Sequence, residues 1–151
     1  MNMNRRRLIS IILVAVLLGV IPQSSFGYSG GITGRSSSGC TCHSGGSGDV
    51  TPSLSGLDSG YVGNQTYNLT IGGSGSPTGS EGGFNLASNF GTFSNPGTNA
   101  QILIGQVTHS NSNSRSWAVD WTAPSNGTGN VTFTLAVNFV NGNGLNTGDG
   151  W

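Results

Sequence analysis

The residues of this chain best able to do chemistry lie close together, in Gly39-Cys40-Thr41-Cys42-His43-Ser44-Gly45. Cys40 and Cys42 are its only cysteines, and His43 is one of its two histidines. Thiolate sulfur and imidazole nitrogen are strong ligands for iron, zinc and copper. Cys-x-x-Cys-His is the attachment motif of a c-type haem, and here the two cysteines stand one residue closer together. Three fates are therefore open: a haem, a metal ion, or oxidation of the thiols to a disulfide. Alternate residues of an extended segment place their Cα atoms about 6–7 Å apart, at the outer edge of disulfide geometry. A Cys40–Cys42 bond would close a small, strained ring and tether very little chain. His43 would then be an ordinary exposed residue. By ligand type, Cys40, Cys42, His43 and His109 form a Cys₂His₂ set for zinc or copper, with a spacing tight for tetrahedral closure. Taken alone, His109 follows Val107 on a candidate strand and reads as a half-buried histidine bonded to a neighbouring carbonyl.

The elements that must position these groups begin after a secretory signal. Arg5, Arg6 and Arg7 form a basic start and Leu8 to Ile21 an apolar run of about 14 residues, short of the roughly 20 that span a membrane. Pro22 breaks the run, and Ser25 and Gly27 suit a cut before Tyr28. The expected organisation is a signal over 1–27, a flexible Gly/Ser-rich leader over 28–48, and one β-sandwich domain over 49–151. The chain stops at Asp149-Gly150-Trp151, and its large apolar last residue raises the expectation of a lost strand or anchor.

Without residues 1–27 the chain keeps Arg35 and Arg115 against Asp49, Asp58, Glu81, Asp120 and Asp149, a net charge of about −3 with no lysine. Nucleic acid needs a basic patch to neutralise phosphates, and anionic lipid needs the same, so neither is an expected partner.

From Val50 onward the apolar period is two, the mark of half-buried strands. Tyr67, Leu69 and Ile71 alternate with polar residues, as do Trp117, Val119 and Trp121, and Val131 through Phe139. Turn chemistry falls at Gly72–Pro77, Asn95-Pro96-Gly97, Pro124–Gly127 and Asn141–Gly144. Strands are expected over 50–57, 66–72, 83–93, 100–109, 115–122 and 129–140, with no helical period after the signal. Six or seven short strands of this kind predict an all-β, immunoglobulin-like antiparallel sandwich.

Asn64, Asn68, Asn126 and Asn130 each begin Asn-x-Thr, making them possible glycan acceptors in an exported chain. Asp120 lies on the polar parity of its strand and reads as a solvent-facing charge. No serine sits in a Gly-x-Ser-x-Gly turn with acid and histidine to follow, and the expectation is a protein that is not an enzyme.

Three stretches in order resemble the reeler-like domains of bacterial and archaeal exported proteins, especially the choice-of-anchor V group. They are Thr33-Gly34-Arg35 leading to Cys40-Thr41-Cys42-His43, then Thr108-His109-Ser110 leading to Trp117–Pro124, then Val131-Thr132-Phe133 leading to Asn141–Gly144 and Gly148-Asp149. The resemblance covers roughly Ser29 to Trp151. It implies an immunoglobulin-like sandwich displayed outside the cell, often beside an anchoring tail. Many members carry Cys-x-x-Cys-His in the leader, which implies one covalently held haem, with Cys40 and Cys42 matching the cysteines and His43 the proximal ligand. The departure is the missing residue between the cysteines. Met1 and Met3 fall in the signal, so His109 is the expected second axial ligand of a bis-histidine, low-potential centre. Trp117, Trp121 or Phe90 would cover the porphyrin. The function expected is an exported module that transfers electrons to a redox partner. The alternative is a structural, adhesive or ligand-binding surface domain with a cell-surface partner and a Cys40–Cys42 disulfide.

Overall fold

The computed structural model describes residues 27–43, 49–57 and 60–151. The expected signal, Gly27 apart, lies outside the described residues, as do residues 44–48 of the leader. No helix among the described residues is long and apolar enough to cross a membrane.

Eight strands follow one another: β1 (Val50–Ser55), β2 (Thr66–Gly75), β3 (Gly82–Ser88), β4 (Thr92–Ser94), β5 (Ala100–Leu103), β6 (Gln106–His109), β7 (Trp117–Thr122) and β8 (Phe133–Phe139). They form two antiparallel sheets of four, ordered β1-β2-β7-β4 and β5-β6-β3-β8. The fold is thus the all-β sandwich that the alternation predicted.

The period-two pattern fixes the register. Leu69 pairs with Val119 and Ile71 with Trp117 in the first sheet, and Phe84 pairs with Val137 and Leu86 with Leu135 in the second. These inward residues form the core, where Leu69, Ile71, Leu86, Val107, Val119 and Trp121 are fully buried. Aromatic contacts tie sheet to sheet: Phe84 and Trp117 have ring centroids 4.5 Å apart, and Phe133 meets Trp121 edge-on at 5.0 Å. Offset and edge-on pairs of this kind add to the stabilisation from burial alone.

Two expected strands are divided. Residues 83–93 split between the sheets, because the chain crosses over at Asn89-Phe90-Gly91 to make β4. Gly91 has φ +83°, and a Cβ there would lie 2.4 Å from Trp121 Nε1, so the crossover passes directly against the indole. Trp121 Nε1–H donates to the Phe90 carbonyl at 3.2 Å, fixing the crossing. Residues 100–109 are a hairpin, β5 and β6, turning through Ile104 and Gly105 at φ 50° and 72°. A two-residue turn with both φ positive matches the twist of paired strands, but isoleucine is an unusual residue for it, and the sequence therefore read as one strand.

Arg115, one of the two arginines after residue 27, is spent on the fold. It donates to the carbonyls of Pro77, Glu81 and Val140, with its guanidinium 4.2 Å above the Phe139 ring. Asp120 is half-buried on the outer face of β7, where Asn68 and Asn95 donate to its two oxygens at 2.9 and 3.0 Å. Those bonds hold its carboxyl below the usual carboxylate range.

Candidate functional site

The leader lies on the sandwich. Its described part crosses the outer face of the β5-β6-β3-β8 sheet, and main-chain N–H groups of Ile32, Gly34, Arg35 and Ser36 donate to Thr108 Oγ1, Gln106 Oε1 and Asn85 Oδ1. Thr134 Oγ1 donates to Ser36 Oγ at 2.9 Å. Polar residues on this face are buried by the leader rather than wetted.

At its far end the leader turns sharply. The His43 N–H donates to the Cys40 carbonyl at 2.9 Å, so Cys40-Thr41-Cys42-His43 is one tight turn. Gly39, with φ +75°, lies against the Trp151 ring, and a Cβ there would come within 2.5 Å of it. Asn146 donates to the Cys42 carbonyl at 3.0 Å. The segment after β8 is itself fixed, because Gly150 and Phe139 exchange both main-chain hydrogen bonds at 2.8 and 2.9 Å.

This segment supplies the group that sequence reasoning missed. Asp149 is 1 % exposed, and its Oδ2 lies 2.6 Å from His43 Nδ1. An ionised carboxylate only accepts hydrogen bonds, so Nδ1 carries the proton. In the neutral ring Nε2 then keeps its lone pair. Asp149 Oδ1 accepts the Asn141 N–H at 2.9 Å, which locks the carboxylate in turn. Nε2 faces the Asn138 amide, with Nδ2 3.4 Å away. Asn138 is buried on the outer parity of β8, and its Oδ1 has no hydrogen-bond partner. An amide so weakly held yields its place at low cost.

His109 is placed for a different role from the one expected. Its ring wedges into the end of the β3–β6 ladder, where Nδ1 accepts the Phe84 N–H at 3.1 Å and Nε2–H donates to the Tyr28 carbonyl at 2.8 Å. Gly83 leaves room for the ring, since a Cβ there would lie 2.8 Å from Cε1. Both ring nitrogens are therefore taken, and the expected bis-histidine pair is not assembled. The structure contains a buried histidine, bonded to a carbonyl. Among the described residues no group of three or more His, Cys, Asp or Glu side chains is placed to hold a metal ion.

Cys40 and Cys42 are both free and partly buried. Burial, and then the neighbouring Cys42, push the Cys40 thiol from 9.0 up to about 11, against a smaller opposing effect of Arg35. The thiolate is the reactive form. At pH 7.5 alkylation of Cys40 by iodoacetamide should therefore run about a hundredfold slower than in the unfolded chain. Equal rates in the two states would contradict this burial.

The rings expected to cover a porphyrin are placed elsewhere. Trp117 and Trp121 are core residues, 2 % and 0 % exposed, and Phe90 sits at the crossover that Trp121 caps. The indole nearest the thiols is Trp151, which walls a cavity of about 280 Å³ with Ser36, Gly39, Val50, Leu135 and Val137.

Of the possible glycan acceptors, Asn64, Asn68, Asn126 and Asn130 are all exposed. Asn68 Nδ2 already donates to Asp120, and Asn126 Oδ1 accepts the Gly63 N–H at 2.8 Å.

No protein-family model matches the chain, and no curated protein does. Among solved structures it is similar to the Reelin-N domain of F-spondin, at 26 % identity and TM-score 0.47 over 60 % of this chain and 72 % of that one. It is also similar to the human F-spondin reeler domain, at 25 % identity and TM-score 0.46 over 60 % of this chain and 78 % of that one (fragment 2). For fragment 1 the values are 24 % and 0.47, over 60 % and 75 %.

Proposed function

We propose that this chain is an exported, non-enzymatic β-sandwich module whose leader would carry one covalently attached c-type haem, with Cys40 and Cys42 as the attachment thiols and His43 as a residue that would hold the iron. What carries the reading is the His43–Asp149 contact of 2.6 Å. Histidines that bind metal almost always give their other ring N–H to a carboxylate, carbonyl or water, which fixes the tautomer and raises the basicity of the ligating nitrogen. His43 has that arrangement, with Nε2 opposed only by an amide whose oxygen is unpartnered.

Each residue of the turn has its own task. Asp149 holds the proton on Nδ1, and the exchange of hydrogen bonds at Gly150 holds Asp149. Asn138 is the side chain that must rotate for Nε2 to ligate. Cys40, kept as a thiol, is suited to thioether formation rather than to thiolate ligation of a metal ion. When bound, the haem would supply one-electron transfer, with a redox partner at the exposed side of the leader turn. A second axial ligand from His109 is not part of this proposal.

The test is a visible spectrum of the protein exported by a host with a c-type haem attachment system, beside that of His43→Ala. The wild type should show a Soret band, and the variant should show it shifted and weakened while keeping its β-sheet circular dichroism. An unchanged band in His43→Ala would remove His43 from the iron. A colourless wild type would favour the surface-binding or structural module instead.

A further inference from the structure

β8 is the last strand of its sheet, in the order β5-β6-β3-β8, so only one of its edges has a partner strand. In an antiparallel ladder the main-chain groups of successive residues point to opposite edges. Bonds at both ends of β8 set the parity. Asn89 N–H donates to the Thr132 carbonyl and Val140 N–H to the Glu81 carbonyl, which turns the even-numbered residues toward β3. Phe139 exchanges both its bonds with Gly150 on the other side. The Phe84 N–H, opposite Val137, goes to His109 and not to β8. Leu135 and Val137 therefore present N–H and C=O outward, as Phe139 does, and among the described residues nothing pairs with them. Val137 is 2 % exposed, and native structures rarely leave the main-chain groups of so buried a residue unpaired.

Beside these groups lies the cavity of about 280 Å³, which Leu135 and Val137 share with Val50 and Pro52 of β1, Ser36 of the leader, and Trp151. No side chain lining it is charged. Pro52 has no N–H to offer, so β8 is the edge that can pair. An extended chain laid antiparallel along Val137 and Leu135 would continue the ladder that the Phe139–Gly150 bridge begins. We infer that this edge is a binding site for one extended peptide strand of a partner protein, uncharged and apolar at alternate residues. Residues opposite Leu135 and Val137 would bond their main chain and turn their side chains toward Val50 and Pro52, so the bonds give affinity and the cavity gives selectivity. Leader and β1 both line the site, an arrangement that suits a single strand and not the edge of a second sandwich. The inference stands whether or not the leader carries a haem.

Amide hydrogen exchange on the full chain tests it. In the chain alone, the Leu135 and Val137 amides should exchange about a hundredfold faster than those of Ala136 and Asn138, which are bonded to β3. The probe is the peptide acetyl-Gly-Ser-Val-Ser-Val-Ser-Gly-amide at about 1 mM, where even a weak strand addition registers. Its binding should slow exchange at Leu135 and Val137 at least about tenfold. N-methylation of its two valines removes the donors that face β8 and should weaken binding at least about tenfold, whereas N-methylation of its serines should leave it unchanged. Leu135→Pro removes one outward N–H at an edge position where proline is tolerated, and should weaken binding as the methylated valines do. Should that variant lose its β-sheet circular dichroism, the methylated peptides carry the test on the unaltered chain. Slow exchange at Leu135 and Val137 in the chain alone would show the edge already paired and overturns the inference. Slowing that grows with protein concentration and needs no peptide would assign the edge to a second copy, and overturns it too. So does exchange that the peptide leaves unchanged, or equal binding of the valine-methylated peptide.

Discussion

Alanine at Asp149 is expected to weaken the bond of His43 to the haem iron by about 10–100-fold, read from the histidine-ligated form of the Soret spectrum, the usual effect of removing the partner that orients a metal-binding histidine. The side chain does two jobs from a position 1 % exposed: Oδ2 fixes His43 Nδ1 and Oδ1 accepts the Asn141 N–H. The variant removes the acceptor of two donors, His43 Nδ1–H and the Asn141 N–H. The leader turn should therefore loosen as well, seen as faster tryptic cleavage at Arg35. Asp149→Asn keeps an oxygen for Nδ1–H and should recover part of both effects. A wild-type Soret spectrum in Asp149→Ala would show that His43 is oriented by something else.

The largest effect on stability should come from Trp121→Ala, about 3–5 kcal/mol by chemical denaturation. Trp121 is fully buried, meets Phe133 and Tyr61 edge-on, and donates to the Phe90 carbonyl at the crossover into β4. Truncation empties the junction of the two sheets and frees that crossover together. Trp117→Ala should cost a similar amount through its stack on Phe84. A loss below about 1.5 kcal/mol for Trp121→Ala would mean that the sandwich collapses onto the space, and that the indole is not the link between sheets.

Much of the fold was legible because burial in a sandwich alternates along each strand. Trp117, Val119 and Trp121 announced an inward face, and they are inward. Ile104 was misleading, since nothing about an isoleucine signals a positive φ. The split at Gly91 was hidden because the glycine is required by an indole 30 residues away in sequence. The leader's docking was illegible for a related reason. Asn85, Gln106 and Thr108 occupy the polar parity of their strands, where a residue bound for solvent and one bound for a covering segment look alike. In the candidate site, the cysteines and His43 were found from their types and spacing. Asp149, 106 residues further on, was named among the acids and in the Gly148-Asp149 stretch, with nothing in the sequence to pair it with His43. His109 drew attention as a ligand because it is the other histidine, whereas its ring substitutes for a main-chain partner in the β3–β6 ladder.

The central claim is that the Cys40-Thr41-Cys42-His43 turn, held by Asp149, carries a haem. The most direct measurement is the intact mass of the denatured, exported chain from a host that attaches c-type haem, followed by the mass of the peptide containing Cys40 and Cys42. A chain heavier by one haem, with the added mass on that peptide, is the predicted result. A chain of unmodified mass, or one lighter by two hydrogens on the same peptide, would contradict it.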